Sequence, residues 1–243
     1  MEIIARPQWG AKRPRWTTRL RRPVDHVFIH HGATLLEDNS QEGESRILRA
    51  YQRYHLRKAW ADIAYSFAVG PMTGNVYELR GWNNRPGATK HWNHRSYAIC
   101  IIGDTTRQEL SDKAIESIQS LLAVGVNAGL ITPNFQIRGH RDVENKDCPG
   151  KRAYERLEEM RPNSEAAQPP ALVAPSFKRT LKVRRPRMKD DLVRFIQLKV
   201  GLPITGVYDQ VTAWHVGLWQ LKTGLTVDGV FGPVSYRKMF GGS

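Results

Sequence analysis

VDHVFIHH, residues 24–31, is rich in β-branched and aromatic residues and stops at Gly32. Such a run reads as a buried strand, and its last two positions set His30 and His31 at the C-terminal end, where side chains reach a cleft. A second run, YAICIIG at Tyr97 to Gly103, is almost continuously apolar, as expected of a central strand covered on both faces. Between the two, Ile47, Leu48, Tyr51, Tyr54 and His55 recur at helical spacing across Ser45 to Arg57, which predicts an amphipathic helix. IAYSFAV (Ile63 to Val69) and NVYEL (Asn75 to Leu79) flank the turn-forming GPMTGN and predict a hairpin. Ser111 offers a cap for a helix carrying Ile115, Ile118, Leu121, Leu122 and Val126, which Gly129 ends. A strand near Phe135 to Arg138 leads into the polar loop GHRDVENKDCPG, followed by a helix at about Arg152 to Met160. Strands interleaved with helices in this order predict an α/β domain with a mixed central sheet flanked by helices.

Beyond that domain, RPNSEAAQPPALVAPSFKRTLKVRRPR holds five prolines, small residues and charge without periodicity, and reads as a linker. The chain then repeats itself: ITGVYDQVTAWHV (Ile204 to Val216) parallels VDGVFGPVSYRKM (Val227 to Met239), with an offset of 23 residues from Gly206 to Gly229. Each copy runs from a glycine turn through an aromatic, Tyr208 or Phe231, to a helix starting near Thr212 or Ser235. Units this short cannot bury a core singly, so they are expected to pack with a helix at Asp190 to Val200 into a small three-helix domain. The expected division is therefore 1–162, a basic linker 163–188, and 189–243.

Composition sets the outer limits: 40% hydrophobic and 25% charged residues describe a globular chain. No stretch approaches the roughly 20 apolar residues of a membrane span. The opening MEIIARPQWGAKRPRW is broken early by Arg6, Pro7 and Lys12, which predicts no signal peptide. A net charge of +14 favours polyanionic partners, among them nucleic acid, acidic membranes and the anionic polymers of bacterial walls. Much of the excess lies in Lys12 to Arg22 and Lys178 to Lys189, where solvated flexible charge is an equal reading. No nucleic-acid-binding motif accompanies it, so no specific nucleic-acid partner is expected. The two cysteines, Cys100 and Cys148, exclude a disulfide scaffold, and Cys100 lies inside an apolar strand pattern.

Catalytic zinc takes three protein ligands from histidine, cysteine and carboxylate, leaving a fourth position for water. His30, His140 and Cys148 supply such a set, the first ending one strand and the others bracketing the loop after another. Spacing alone leaves this triplet one of many, because the chain has eight histidines and none of these three forms a short ligand signature. Lys146 by itself reads as a surface lysine, Tyr65 as a core tyrosine, and His55 as a helix-packing residue. His31, adjacent to His30, faces the other side of the strand and is not counted as a ligand.

The blocks RPQWGA, FIHHGAT, WADIAYSFAVG, YELRGW and GHRDVENKDCPG resemble the zinc-dependent N-acetylmuramoyl-L-alanine amidase family, which includes phage lysozyme-type amidases and animal peptidoglycan recognition proteins. The resemblance covers nearly all of the first domain and implies one zinc per chain on His30, His140 and Cys148, with Tyr65 and Lys146 as catalytic residues. It also implies substrate contacts at Trp60, Arg80, Trp82 and Asn93. Asp147 is the rival third ligand, but Pro149 sets a register that favours Cys148. The pattern departs from the family at Ala88, where a histidine is usual and His91 stands nearby. The C-terminal repeat resembles a three-helix peptidoglycan-binding module, carried by Gly224-Leu225 and Val227-Asp228-Gly229.

The function these resemblances imply is hydrolysis of the amide between N-acetylmuramic acid and L-alanine in bacterial peptidoglycan. A second module would hold the wall, with anionic wall polymers as possible partners of the basic surface. A monomeric phage endolysin, resident in the host cytoplasm before lysis and acting on the wall after release, is the expected setting. A host autolysin of the same chemistry is the first alternative. A recognition protein that binds without cutting is the second, and Cys148 argues against it because non-enzymatic relatives lack a cysteine there.

Overall fold

The computed structural model describes residues 3–162, 176–184, 186–200, 202 and 206–241. The chain divides into two compact units, Met1–Pro169 and Pro170–Ser243. In the first unit the elements run β1 (Ile3–Ile4), β2 (Val24–His31), α1 (Gln41–Arg57), β3 (Phe67–Val69), β4 (Val76–Glu78), β5 (Ser96–Ile101), α2 (Asp112–Asn127), β6 (Ile131–Gly139) and α3 (Lys151–Glu155). Six strands form one sheet in the order β1-β4-β3-β5-β2-β6. All neighbours are parallel except β3 and β4, whose hairpin pairs Val69 with Val76. The sheet is thus mixed, and helices cover both faces.

Side-chain alternation along the strands sorts the core into two layers. Tyr97, Ile99 and Ile101 of β5, with Val27 and Ile29 of β2, pack against Ile115, Ile118, Leu121 and Leu122 of α2. Cys100 and Ile102 join Leu48 and Tyr51 of α1 on the opposite face. Both covering helices begin where a serine accepts an orphan amide: Ser40 Oγ from Gly43 N at 3.1 Å, and Ser111 Oγ from Ala114 N at 3.2 Å. The final helix of this unit is shorter than the sequence suggests. α3 stops at Glu155, and a 3₁₀ turn at Glu158–Met160 carries Met160 into the core beside Ala153 and Leu157.

The second unit contains β7 (Met188–Lys189), α4 (Asp191–Lys199), β8 (Val207–Tyr208), α5 (Gln210–Lys222) and α6 (Pro233–Phe240). Its repeat has a physical basis in two corresponding clamps. Gln197 Nε2 donates to Val207 O and Thr212 Oγ1 while its Oε1 accepts from Gly206 N. Gln220 Nε2 donates to Val230 O and Ser235 Oγ while its Oε1 accepts from Gly229 N. Each buried glutamine ties a glycine turn to the first turn of the next helix. Residues 163–175 and 185 of the stretch read as linker, and 204–205 at the start of the first repeat, lie outside the described residues. Two residues of that stretch belong to this unit's core. Leu181 forms a backbone bridge with Phe231, Met188 pairs with Tyr208, and both side chains are buried in this unit's core. So small a helical unit needs the extra apolar cover. No helix among the described residues is long and apolar enough to cross a membrane.

Candidate metal centre

Two parallel neighbours, β2 and β6, end together, and their register pairs Ile29 with Gly139. The next residue of each chain segment is a histidine, so His30 and His140 stand side by side with ring centroids 4.6 Å apart. Open parallel sheets place ligand sites at these carboxyl ends. Two glycines permit the crowding: a Cβ on Gly32 would lie 1.7 Å from Tyr51 OH, and one on Gly139 would lie 2.8 Å from Tyr154. The loop after His140 folds back on itself, with Arg141 N donating to Cys148 O at 2.8 Å. That return brings Cys148 Sγ to 3.6 Å from His30 Nδ1. His30, His140 and Cys148 thereby present ligand atoms that all lie within 4.8 Å of one another.

The donor set is largely dry. Burial, with His140 and His31 nearby, pushes His30 well below the usual imidazole range and keeps it neutral. Burial also pushes the Cys148 thiol up to about 11. Thr89 Oγ1 sits 3.1 Å from His30 Nε2, the nitrogen facing away from Cys148. Asn93 Oδ1 accepts from the Ala88 and Thr89 amides at 2.9 Å each and so shapes the loop that presents Thr89. Glu144 Oε1 stands 3.1 Å from His140 Nε2, short of the alignment a full hydrogen bond needs. Its Oε2 lies 3.0 Å from Lys146 Nζ. Burial opposes ionisation of Glu144, but His140, Lys146 and the Lys90 amide converge on it and draw its carboxyl down to about 2.

Tyr65 is half-buried, its ring 5.3 Å from that of His30. Burial, reinforced by Cys100 and Cys148, raises its phenol well above the ordinary value, so it is a neutral hydrogen-bonding group. Asp147 is 69% exposed and pairs with Arg141, outside the cluster. His31 turns to the α2 face, its Nδ1 3.5 Å from Asp104 and accepting from Thr105 N. His55 stacks on Trp60 at 4.8 Å, and Trp60 is exposed at the rim. His91 is exposed and lies outside the metal-ligating cluster. Cys100 and Cys148 are both free.

Two expected substrate contacts have partners within the protein. Arg80 donates to the carbonyls of Ile63, Arg85 and Asp62, so its fork braces the loops. Trp82 is only 7% exposed and packs between Phe67 and Tyr97 in the α2-side core. Asn93 is spent on the loop described above. Thr89 and Glu144 escaped sequence reasoning because their partners are set by loops, and a threonine or glutamate at those positions carries no spacing signal.

Residues 20–151 match the family described as N-acetylmuramoyl-L-alanine amidase. Peptidoglycan recognition protein 1 of Bos indicus is 35% identical over 161 residues, spanning 65% of this chain and 83% of that protein. The fold of the first unit matches the Drosophila protein PGRP-LB at 30% identity and a TM-score of 0.62, over 65% of this chain and 92% of that one. It also matches peptidoglycan recognition protein-LE, solved with tracheal cytotoxin, a monomeric diaminopimelic acid-type peptidoglycan. That match has 32% identity and a TM-score of 0.62, over 68% of this chain and 98% of that one.

Proposed function

Since the chain belongs to the N-acetylmuramoyl-L-alanine amidase family, we propose that it is a zinc-dependent hydrolase that cuts the amide joining N-acetylmuramic acid to L-alanine in peptidoglycan. The observation that carries this is the convergence of His30, His140 and Cys148 within 4.8 Å. Two imidazoles and one thiol fit zinc, because that ion accepts nitrogen and sulfur together and catalytic sites use three protein ligands. The contact between His30 Nε2 and Thr89 adds to the fit, since a ligating histidine usually engages its second nitrogen elsewhere. When bound there, zinc supplies a Lewis acid for the scissile carbonyl and lowers the pKa of water towards about 7.

The protein's own groups supply the rest. With metal on Nδ1, the nitrogen of His30 facing Cys148, Nε2 would carry the proton and donate it to Thr89 Oγ1. Lys146 offers a fixed positive charge to the oxyanion that develops at the cleaved carbonyl; loss of one such donor typically lowers the rate by roughly 100-fold or more. Tyr65, neutral beside His30, orients the polar groups of the reacting amide by hydrogen bonding. Trp60 at the rim presents an apolar face suited to a sugar ring.

The second unit is assigned to wall anchoring, supported by the resemblance of its repeat to peptidoglycan-binding modules. Anchoring makes the catalytic encounter effectively intramolecular. A catalytic unit joined to a wall-holding one suits an endolysin that meets the wall from the cytoplasmic side after release. A recognition protein that binds without cutting is the second reading, favoured by the names of the relatives. Purified protein incubated with cell walls separates the two. New L-alanine amines and peptide-free muramic acid support the amidase; wall binding without new ends supports recognition alone.

A further inference from the structure

We propose that Glu144 is a positioning residue that holds a metal-ligating histidine and the oxyanion-stabilising lysine with one carboxylate. The inference rests on the amidase reading above. Oε1 lies 3.1 Å from His140 Nε2, and Oε2 lies 3.0 Å from Lys146 Nζ. Oε1 also accepts from Lys90 N at 3.2 Å. Glu144 thus takes one hydrogen bond, from the Lys90 amide, and has two side-chain nitrogens within 3.1 Å, unlike a solvated surface carboxylate, and it stands only 25% exposed.

Consecutive residues of one loop therefore brace both histidines. Thr89 meets His30 directly, and the Lys90 amide meets His140 through Glu144. A carboxylate on the outer nitrogen of a ligating histidine orients the ring and makes the other nitrogen a better donor to metal. Lys146 needs an anchor for a different reason. Its side chain is 55% exposed, and a lysine that free spreads over many rotamers. The ion pair with Glu144 keeps its ammonium beside the metal ligands, where a developing negative charge would form. The amidase motifs did not single out Glu144, and no spacing rule marks it.

The test uses the full chain and three variants, E144A, E144Q and K146A, with E144Q also made in the K146A background. Zinc affinity is read by competition with a chromophoric chelator, and kcat and KM are read on cell walls at saturating zinc. E144A is expected to weaken zinc binding by roughly 10- to 100-fold, the usual effect of removing such a partner. E144Q keeps an oxygen that orients the His140 ring and meets the Lys90 amide but loses the charge that strengthens the ligand, so its zinc affinity should fall between those of wild type and E144A. It should still lower kcat with KM unchanged, because the charge that holds Lys146 is gone. In the K146A background E144Q should lower kcat no further, as expected of two residues acting as one unit. Zinc affinity unchanged in E144A, or weakened as much in E144Q as in E144A, overturns the proposal while leaving the amidase reading intact. A further kcat loss from E144Q in the K146A background also overturns it. Wild-type protein that binds no zinc overturns both.

Discussion

Thr89→Val isolates the support of His30 from every other feature of the site. Thr89 is 1% exposed, and its Oγ1 lies 3.1 Å from His30 Nε2. Valine keeps the branched shape and removes only the acceptor, while the Thr89 amide stays bound to Asn93. Nδ1 is the histidine nitrogen that faces Cys148, at 3.6 Å, so metal binding requires the proton on Nε2. In the variant that N–H is buried without a partner, at a cost of about 1–3 kcal/mol. Without metal the proton can move to Nδ1, so much of this cost falls on the bound state. Since about 1.4 kcal/mol is tenfold, zinc affinity should fall by roughly 5- to 150-fold. Chelator competition measures this, with the thermal midpoint of the metal-free protein as a folding control. A variant that folds normally and binds zinc as tightly as wild type would refute the reasoning, because His30 would then need no partner on Nε2.

Three other outcomes test separate parts of the account. Burial pushes His55 down to about 4, so between about pH 6.5 and 4 the unfolded chain binds a proton the folded chain refuses. Stability should therefore fall as pH drops through that window, by up to about 3 kcal/mol, and urea midpoints should show His55→Phe with a shallower decline. An identical pH slope in both proteins would contradict this. Arg80→Ala should lower the unfolding midpoint of the first unit without a selective rise in KM, because its fork serves backbone carbonyls; a pure KM effect would restore it as a substrate contact. Gln220→Ala opens the second clamp and strands buried donors and acceptors at about 1–3 kcal/mol each, so the second unit should melt earlier while cleavage of a soluble muropeptide is unchanged.

The mixed sheet was legible because VDHVFIHH and YAICIIG carry the pattern of strands covered on both sides, and β2 and β5 are central neighbours. The 23-residue offset announced the second unit's repeat, but not its cause, since nothing in an isolated glutamine marks Gln197 and Gln220 as clamps. At the site, the histidines could be placed because strand ends fix them. The internal partners of Arg80 and Trp82 could not, because exposed aromatics and guanidinia look the same in sequence as those turned inward. Thr89 lies 59 positions from its partner His30, and the chain's closure, not local spacing, joins them. The basic segment that runs into β7 reads as linker because its charge and prolines hide two apolar residues, Leu181 and Met188, that pack in a core.

The most direct test of a three-ligand zinc amidase is to strip the protein of metal, return zinc in measured steps, and count new L-alanine amines released from cell walls at each step. The account predicts no cleavage by the stripped chain, a linear rise to one zinc per chain, and no recovery at that ratio in Cys148→Ser. Full cleavage by the stripped protein, or wild-type cleavage by Cys148→Ser, would contradict it.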